Sequence, residues 1–210
     1  MALRVLIADD HAVVRQGCRA LLERAGFDVA GEAVDGQEAV RLAAELKPDV
    51  ALLDLSMPLL NGLEAGREIQ RARKGTHVVL LTMHAQDHVM ASALRSGIRA
   101  YVLKSQAAED LVAAIRAVVR HQIYLSPGIS KFVVDAYING ESAPEEELAP
   151  RERQVLQLVA EGKTSKEIAT VLGWSTKTAQ SYRGRVMEKL DIHETAGLVR
   201  YAIRHGIVEP

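Results

Sequence analysis

Short apolar runs alternate with amphipathic stretches along the first part of the chain. The runs are RVLIA (4–8), DVAGEA (28–33), DVALLDL (49–55), HVVLLTM (77–83) and AYVL (100–103). Apolar residues at helical spacing follow them, near 12–25, 36–46, 62–72, 87–96 and 107–120. Five strands alternating with five helices predict an α/β fold, a five-stranded doubly wound parallel sheet covered on both faces. Runs one, three and four are nearly all apolar, as central parallel strands are. Ligands in such sheets bind beyond the carboxyl ends of the strands. Asp9, Asp10, Asp54 and Thr82 fall there, and Lys104 follows the fifth run.

The pattern then breaks. SPGISKFVVDAYI (126–138) has the spacing of a connecting helix, and NGESAPEEELAP (139–150) has linker composition. From 148 onward the chain reads as four helices. Pro150 opens one that Gly162 closes, and Thr164 with Glu167 has capping-box spacing before a stop at Gly173. Ser175 or Thr176 caps the third, and Gly206 ends the fourth. A short LGWS turn joins the middle two, which is a helix-turn-helix pattern. The expected organisation is a domain over 1–122, a linker with a helix over 123–147, and an all-α four-helix domain over 148–210.

Composition adds limits. With 48% hydrophobic and 25% charged residues, the 210-residue chain is ordinary globular protein. No apolar run has the roughly 18 residues of a membrane span, and the N-terminal apolar stretch meets Asp9 too soon for a secretory signal. A single cysteine, Cys18, fits a reducing cytoplasm and a buried structural role. The net charge of −1 hides an asymmetry. Residues 1–147 hold 16 Lys+Arg and 20 Asp+Glu, net −4; residues 148–210 hold 10 and 7, net +3. An acidic front and a basic tail suggest different partners.

In the acidic part, strands one and three are neighbours in the expected sheet, so Asp9, Asp10 and Asp54 converge. Like charges packed together imply either a bound cation or raised pKa values. A hard divalent ion such as Mg²⁺ takes one or two carboxylates plus water and phosphate oxygens. Lys104 offers an ammonium and Thr82 a hydroxyl to a phosphate oxygen. Taken singly, each of these residues is ordinary: a turn acid, a strand threonine, a surface lysine. Together, a carboxylate nucleophile, a cation site, an ammonium and a hydroxyl suit phosphoryl transfer onto aspartate.

Residues 1–122 resemble the receiver domain of bacterial two-component response regulators, through IADDH (7–11), LLDLSMP with NG (52–58, 61–62), LLTMH (80–84) and AYVLKS (100–105). The resemblance implies that Asp54 accepts the phosphoryl group. Asp9, Asp10, Asp54 and the backbone carbonyl of Ser56 would bind Mg²⁺. Thr82 and Tyr101 would form a switch pair, with Lys104 on the phosphoryl group. Many receivers place a cis proline after the lysine, whereas Ser105 stands here. A second metal pair, His84 with His88 at i, i+4, is a weak alternative because Mg²⁺ prefers oxygen.

In the basic tail, Ala179, Tyr182, Val186 and Leu190 fall on one face of the third helix. Lys177, Ser181, Gly184 and Glu188 fall opposite, flanked by Gln180 and Arg185. Lys177, Arg183, Arg185 and Lys189 give the helix a positive bias suited to a DNA backbone. Charge alone better suits a solvated face. The tail resembles the LuxR-type helix-turn-helix of NarL/FixJ response regulators over 148–173, 175–190 and 198–206. That resemblance puts base-facing residues at Gln180, Ser181 and Gly184, Lys177 near the backbone, and dimer contacts on the last helix. Trp174 stands where a smaller aliphatic is usual, and Gly184 offers no base-reading side chain.

The expectation is a cytoplasmic, phosphorylation-controlled transcription regulator. Its partners would be a sensor histidine kinase, double-stranded DNA and, when active, a second copy of itself; no membrane is involved. It would be no enzyme beyond catalysing its own phosphorylation and dephosphorylation. Two rivals remain: a regulator that binds DNA regardless of phosphate, and an aspartyl-phosphate phosphotransfer enzyme, for which the loops are short.

Overall fold

The computed structural model describes residues 2–83, 87–127 and 148–209, with the backbone alone for 87–89, 91 and 109. The chain falls into two compact units, residues 1–143 and 144–210.

The first unit alternates β1 (Arg4–Ala8), α1 (Ala12–Arg24), β2 (Asp28–Ala33), α2 (Gly36–Leu46), β3 (Val50–Asp54), α3 (Gly62–Ala72), β4 (His77–Thr82), α4 (Asp87–Arg95), β5 (Ala100–Leu103) and α5 (Ala107–Val119). Every strand pair is parallel, and the order is β2-β1-β3-β4-β5-β6. The sixth strand, β6 (Tyr124–Leu125), adds to the five the sequence predicts. Two residues are too few to show a period, so only pairing reveals it. Tyr124 pairs with Ala100 and Leu125 with Tyr101.

Strand periodicity builds two cores. Leu6, Ala8, Ala51, Leu53, Val78, Leu80 and Tyr101 face α2, α3 and α4. Val5, Ile7, Val50, Leu52, Val79, Leu81, Ala100 and Val102 face α1 and α5. A sheet buried on both faces needs apolar residues throughout its central strands, and β3 is buried at all five positions. Cys18 packs in the α1–α5 core. Burial pushes its thiol up to about 11, so it is a core residue and a poor nucleophile.

The second unit holds α6 (Pro150–Ala160), α7 (Ser165–Leu172), α8 (Thr176–Lys189) and α9 (Thr195–Arg204). The caps follow the sequence. Thr164 and Glu167 form a capping box, and the Ser175 side chain accepts from the Thr178 amide. Gly173 ends α7 at φ +67°, the left-handed conformation the tight turn requires. Val155, Leu158, Ile168, Ala179, Val186, Leu198 and Ala202 are buried. The connecting helix expected over 126–138 lies almost wholly outside the described residues.

Candidate functional site

Strand register assembles the acidic site. Ala8 pairs with Leu53, so Asp9 follows β1 beside Asp54 at the end of β3. Asp54 pairs with Leu81, one residue before Thr82, and Thr82 pairs with Leu103, one before Lys104. Four neighbouring strands thus deliver their polar residues to one rim.

The contacts there are direct. Lys104 Nζ lies 2.8 Å from Asp9 Oδ2 and 2.9 Å from Asp54 Oδ1. Asp9 and Asp54 are buried, whereas Asp10 is exposed. The His11 amide donates to Asp9 Oδ1 at 2.8 Å, and His11 Nδ1 lies 2.7 Å from Asp10 Oδ1. Arg15 Nη1 donates to the Asp9 carbonyl at 2.7 Å. Burial pushes the Asp54 carboxyl up to about 6, against the opposing pull of Lys104. Burial also works to lower Lys104, but its hydrogen bonds to Asp9 and Asp54 outweigh that and raise it. The lysine therefore stays charged.

Ligand atoms of Asp9, Asp10, His11 and Asp54 lie within 4.8 Å of one another. Three carboxylates against one ammonium leave a formal charge of −2 at the rim. One divalent cation balances that, and oxygen donors suit a hard ion. Ser56 stands two residues beyond Asp54, half-buried in the turn before α3.

Thr82 and Tyr101 are both buried. The Tyr101 hydroxyl has no hydrogen-bond partner among the described residues. Its phenol is pushed far above the usual range by burial. Ser105 follows Lys104 in a short 3₁₀ turn, Lys104–Gln106, that leads into α5; no cis peptide bond occurs among the described residues. His84 and the side chain of His88 lie outside the described residues.

Sequence reasoning missed residues that hold this rim in place. Gly62 opens α3 with its amide on the Leu55 carbonyl at 2.9 Å, and Asn61 caps the helix by accepting from the Glu64 amide. Glu64 and Arg67 form a buried pair at 2.8 Å, and Arg67 reaches Ser92 Oγ on α4 at 2.7 Å. The NG pair was the available signal for the first. Nothing local marks the i, i+3 pair as buried, since such pairs are commonest in solvent.

In the second unit, Lys177, Gln180, Ser181, Gly184 and Arg185 are exposed on α8. Tyr182 stacks on half-buried Trp174 with centroids 4.7 Å apart, and the Arg185 guanidinium lies 5.2 Å from the Tyr182 ring centre. Arg183 and Lys189 are engaged within the unit. Arg183 Nη2 donates to Thr195 Oγ1 at 2.7 Å, and Lys189 Nζ pairs with buried Glu152 at 2.7 Å. Helix spacing places Arg183 and Lys189 on α8 but does not show that α9 and α6 supply their partners.

Acids gathered past the first and third strands of a doubly wound sheet, followed by a helix-turn-helix unit, define a receiver-type module joined to a DNA-binding module. The response regulator receiver domain family matches residues 5–116, and the family described as bacterial regulatory proteins, luxR family, matches 146–202. The response regulator UvrY of Escherichia coli K12 is 37% identical over 208 residues, covering 98% of this chain and 95% of UvrY. RcsB of Salmonella enterica serovar Typhimurium, solved on the promoter P1flhDC with the phosphomimetic BeF3-, is 30% identical with a TM-score of 0.63, covering 96% of this chain and 98% of that one. A structure of two RcsB dimers on two parallel DNAs is 29% identical with a TM-score of 0.60, covering 97% and 99%. The chain belongs to the two-component response regulators of the NarL/FixJ type, with a receiver and a LuxR-type DNA-binding domain. Among the described residues no helix is long and apolar enough to cross a membrane.

Proposed function

We propose that this response regulator accepts a phosphoryl group on Asp54 from the phosphohistidine of a sensor kinase, and that the modification controls its binding to double-stranded DNA. The observation that carries the reading is Lys104 bridging Asp9 and Asp54 at 2.8 and 2.9 Å, at the rim where four strands end. In the transfer, an Asp54 carboxylate oxygen forms the new P–O bond while the P–N bond to the donor imidazole breaks. The released imidazole takes a proton from solvent. Burial strips water from the nucleophile, and Lys104 holds it in place and balances charge on the incoming phosphoryl group. Asp9, Asp10, Asp54 and the Ser56 carbonyl are the proposed Mg²⁺ ligands; a bound ion would neutralise phosphoryl oxygens.

Thr82 is the proposed hydrogen-bond donor to the new phosphoryl oxygen, with Tyr101 repacking behind it. The DNA interface is α8, with Lys177, Gln180, Ser181, Gly184 and Arg185 outward, and Arg183 and Lys189 in support. RcsB dimers on DNA support a homodimer as the active form. Cytoplasmic action follows from the DNA partner. The domain limits proposed are 1–122, 123–147 and 148–210.

The test is incubation with Mg²⁺ and a small phosphodonor. Wild type gains one acid-labile phosphate and binds its operator more tightly. Asp54→Asn gains none. Phosphate incorporation by Asp54→Asn overturns the assignment of Asp54, and equal operator affinity with and without donor supports a phosphate-independent regulator instead.

A further inference from the structure

The end of the first unit away from the acidic rim carries a second site. At the start of β4 and just before β5 a cavity of about 420 Å³ opens between α3 and α5. Four basic side chains line it: Lys74, His77, Arg99 and His121, with Gln70 and Thr76 beside them. No acid lines it. The His77 and His121 rings meet edge to face with centroids 5.1 Å apart. Arg99 Nη1 donates to the His121 carbonyl at 2.6 Å, which leaves most of its N–H fork available. Among the described residues, Lys74 makes no hydrogen bond or ion pair, and neither ring of the histidine pair has a hydrogen-bonded partner.

Elsewhere in this unit Arg15, Arg19, Arg41 and Arg67 each pair with a glutamate. Lys74 and Arg99 instead border a cavity whose lining holds no acid. Burial depresses His77, and the neighbouring charges of His121 and Arg99 depress it further; Asp49 opposes them. An anion in the cavity removes that mutual repulsion. The volume falls within the roughly 300–1,000 Å³ of small-molecule sites, too large for a lone oxyanion.

We propose that this cavity binds a small phosphate monoester, with the phosphate between Lys74, Arg99 and the two imidazoles. The site is independent of Asp54. It gives the receiver a second input, from a soluble phosphorylated compound.

The test follows the ring nitrogens of His77 and His121 by NMR in full-length protein without Mg²⁺. Glycerol phosphate, inorganic phosphate and sulfate are titrated separately. Saturable shifts at both rings are expected, with affinity lowered about tenfold in Lys74→Ala and in Arg99→Ala. Arg41→Ala, a cation elsewhere on the surface, is expected to bind as wild type does. Tighter binding of glycerol phosphate assigns the cavity to an organic monoester; equal affinity assigns it to free phosphate and overturns the monoester. Sulfate keeps its charge across the range, so its binding isolates the protein's titration. It is expected to be tighter at about pH 6 than at about pH 8, because an anion in the cavity favours the charged form of His77 that burial opposes. No saturable shift, or shifts unchanged in both alanine variants, overturns the site itself.

Discussion

Gly62 sits so close beneath Asp54 that a β-carbon on it would lie 2.0 Å from the Asp54 carbonyl oxygen. The obstacle is backbone, so no rotamer relieves it. Gly62→Ala therefore has to displace either the first turn of α3 or the end of β3. Overpacking of this kind costs about 1–3 kcal/mol, and a backbone clash lies at the upper end. Urea unfolding is expected to show the loss, and phosphate uptake from a small donor is expected to slow as Asp54 moves.

Lys104 is the only cation between two buried carboxylates among the described residues. Lys104→Met leaves both charges uncompensated, which costs about 3–5 kcal/mol for a buried pair. The Asp54 pKa, already about 6, loses the group that holds it down and rises further. Protonating Asp54 relieves the repulsion. The variant is thus expected to regain more stability than wild type as pH falls from about 8 towards about 5, because wild-type Asp54, at about 6, already takes up its proton over part of that range. Thermal melts across that range measure it. A constant difference in Tm at every pH would remove the proposed ionic origin.

The buried Tyr101 hydroxyl without a partner predicts an unusual gain. An unsatisfied hydroxyl costs about 1–3 kcal/mol to bury. Tyr101→Phe is expected to leave the unphosphorylated protein as stable as wild type or more so. A clear drop in Tm would show that the hydroxyl has a partner in solution.

Glu152 and Lys189 make a pH-dependent tie in the DNA-binding unit. Burial works to raise Glu152, but the Lys189 hydrogen bond and the Ala149 amide outweigh it and hold the carboxyl below its ordinary 4.5. Its native pKa is below its unfolded one. The tie therefore stabilises fully above about pH 4.5 and fades as pH falls through the lower native value. Lys189→Met is expected to lower stability at neutral pH by about 1 kcal/mol, since the lysine is half-exposed, and to flatten the acid limb of the stability curve.

That tie also sorts the cations of α8. Lys177 and Arg185 are exposed, so each alanine variant is expected to reduce the slope of log affinity for DNA against log salt by about 1. Arg183→Ala loses its bond to Thr195 and is expected to lower Tm with little change in slope. Operator titrations in a salt series separate the two kinds of residue.

Strand and helix limits were legible because the pattern is strong: α2, α3 and β5 fall on the stretches that periodicity marks. The polar rim was legible because its members follow those strands. What the sequence hid depends on partners far along the chain. Asp110 takes a hydrogen bond from Tyr124 at 2.7 Å and another from Ser126, which pins β6 against α5. No local spacing announces that contact. The burial of Arg67 was equally silent, because charge pairs at i, i+3 are commonest in solvent. The basic cavity gathers residues from 70 to 121, and only folding brings them to one mouth.

The two residues of β6 have a consequence for how the molecule avoids its own copies. Without them β5 is a terminal strand of an apolar sheet, offering a free row of amides and carbonyls to any passing strand. Tyr124 donates its amide to the Arg99 carbonyl and Ser126 donates to the Tyr101 carbonyl, so that row is closed from within. At the other margin, the register shift between Val5 and Leu6 breaks the regular ladder with β2. Both sides of the sheet are blunted against edge-to-edge aggregation, which leaves self-association to surfaces that are not strand edges.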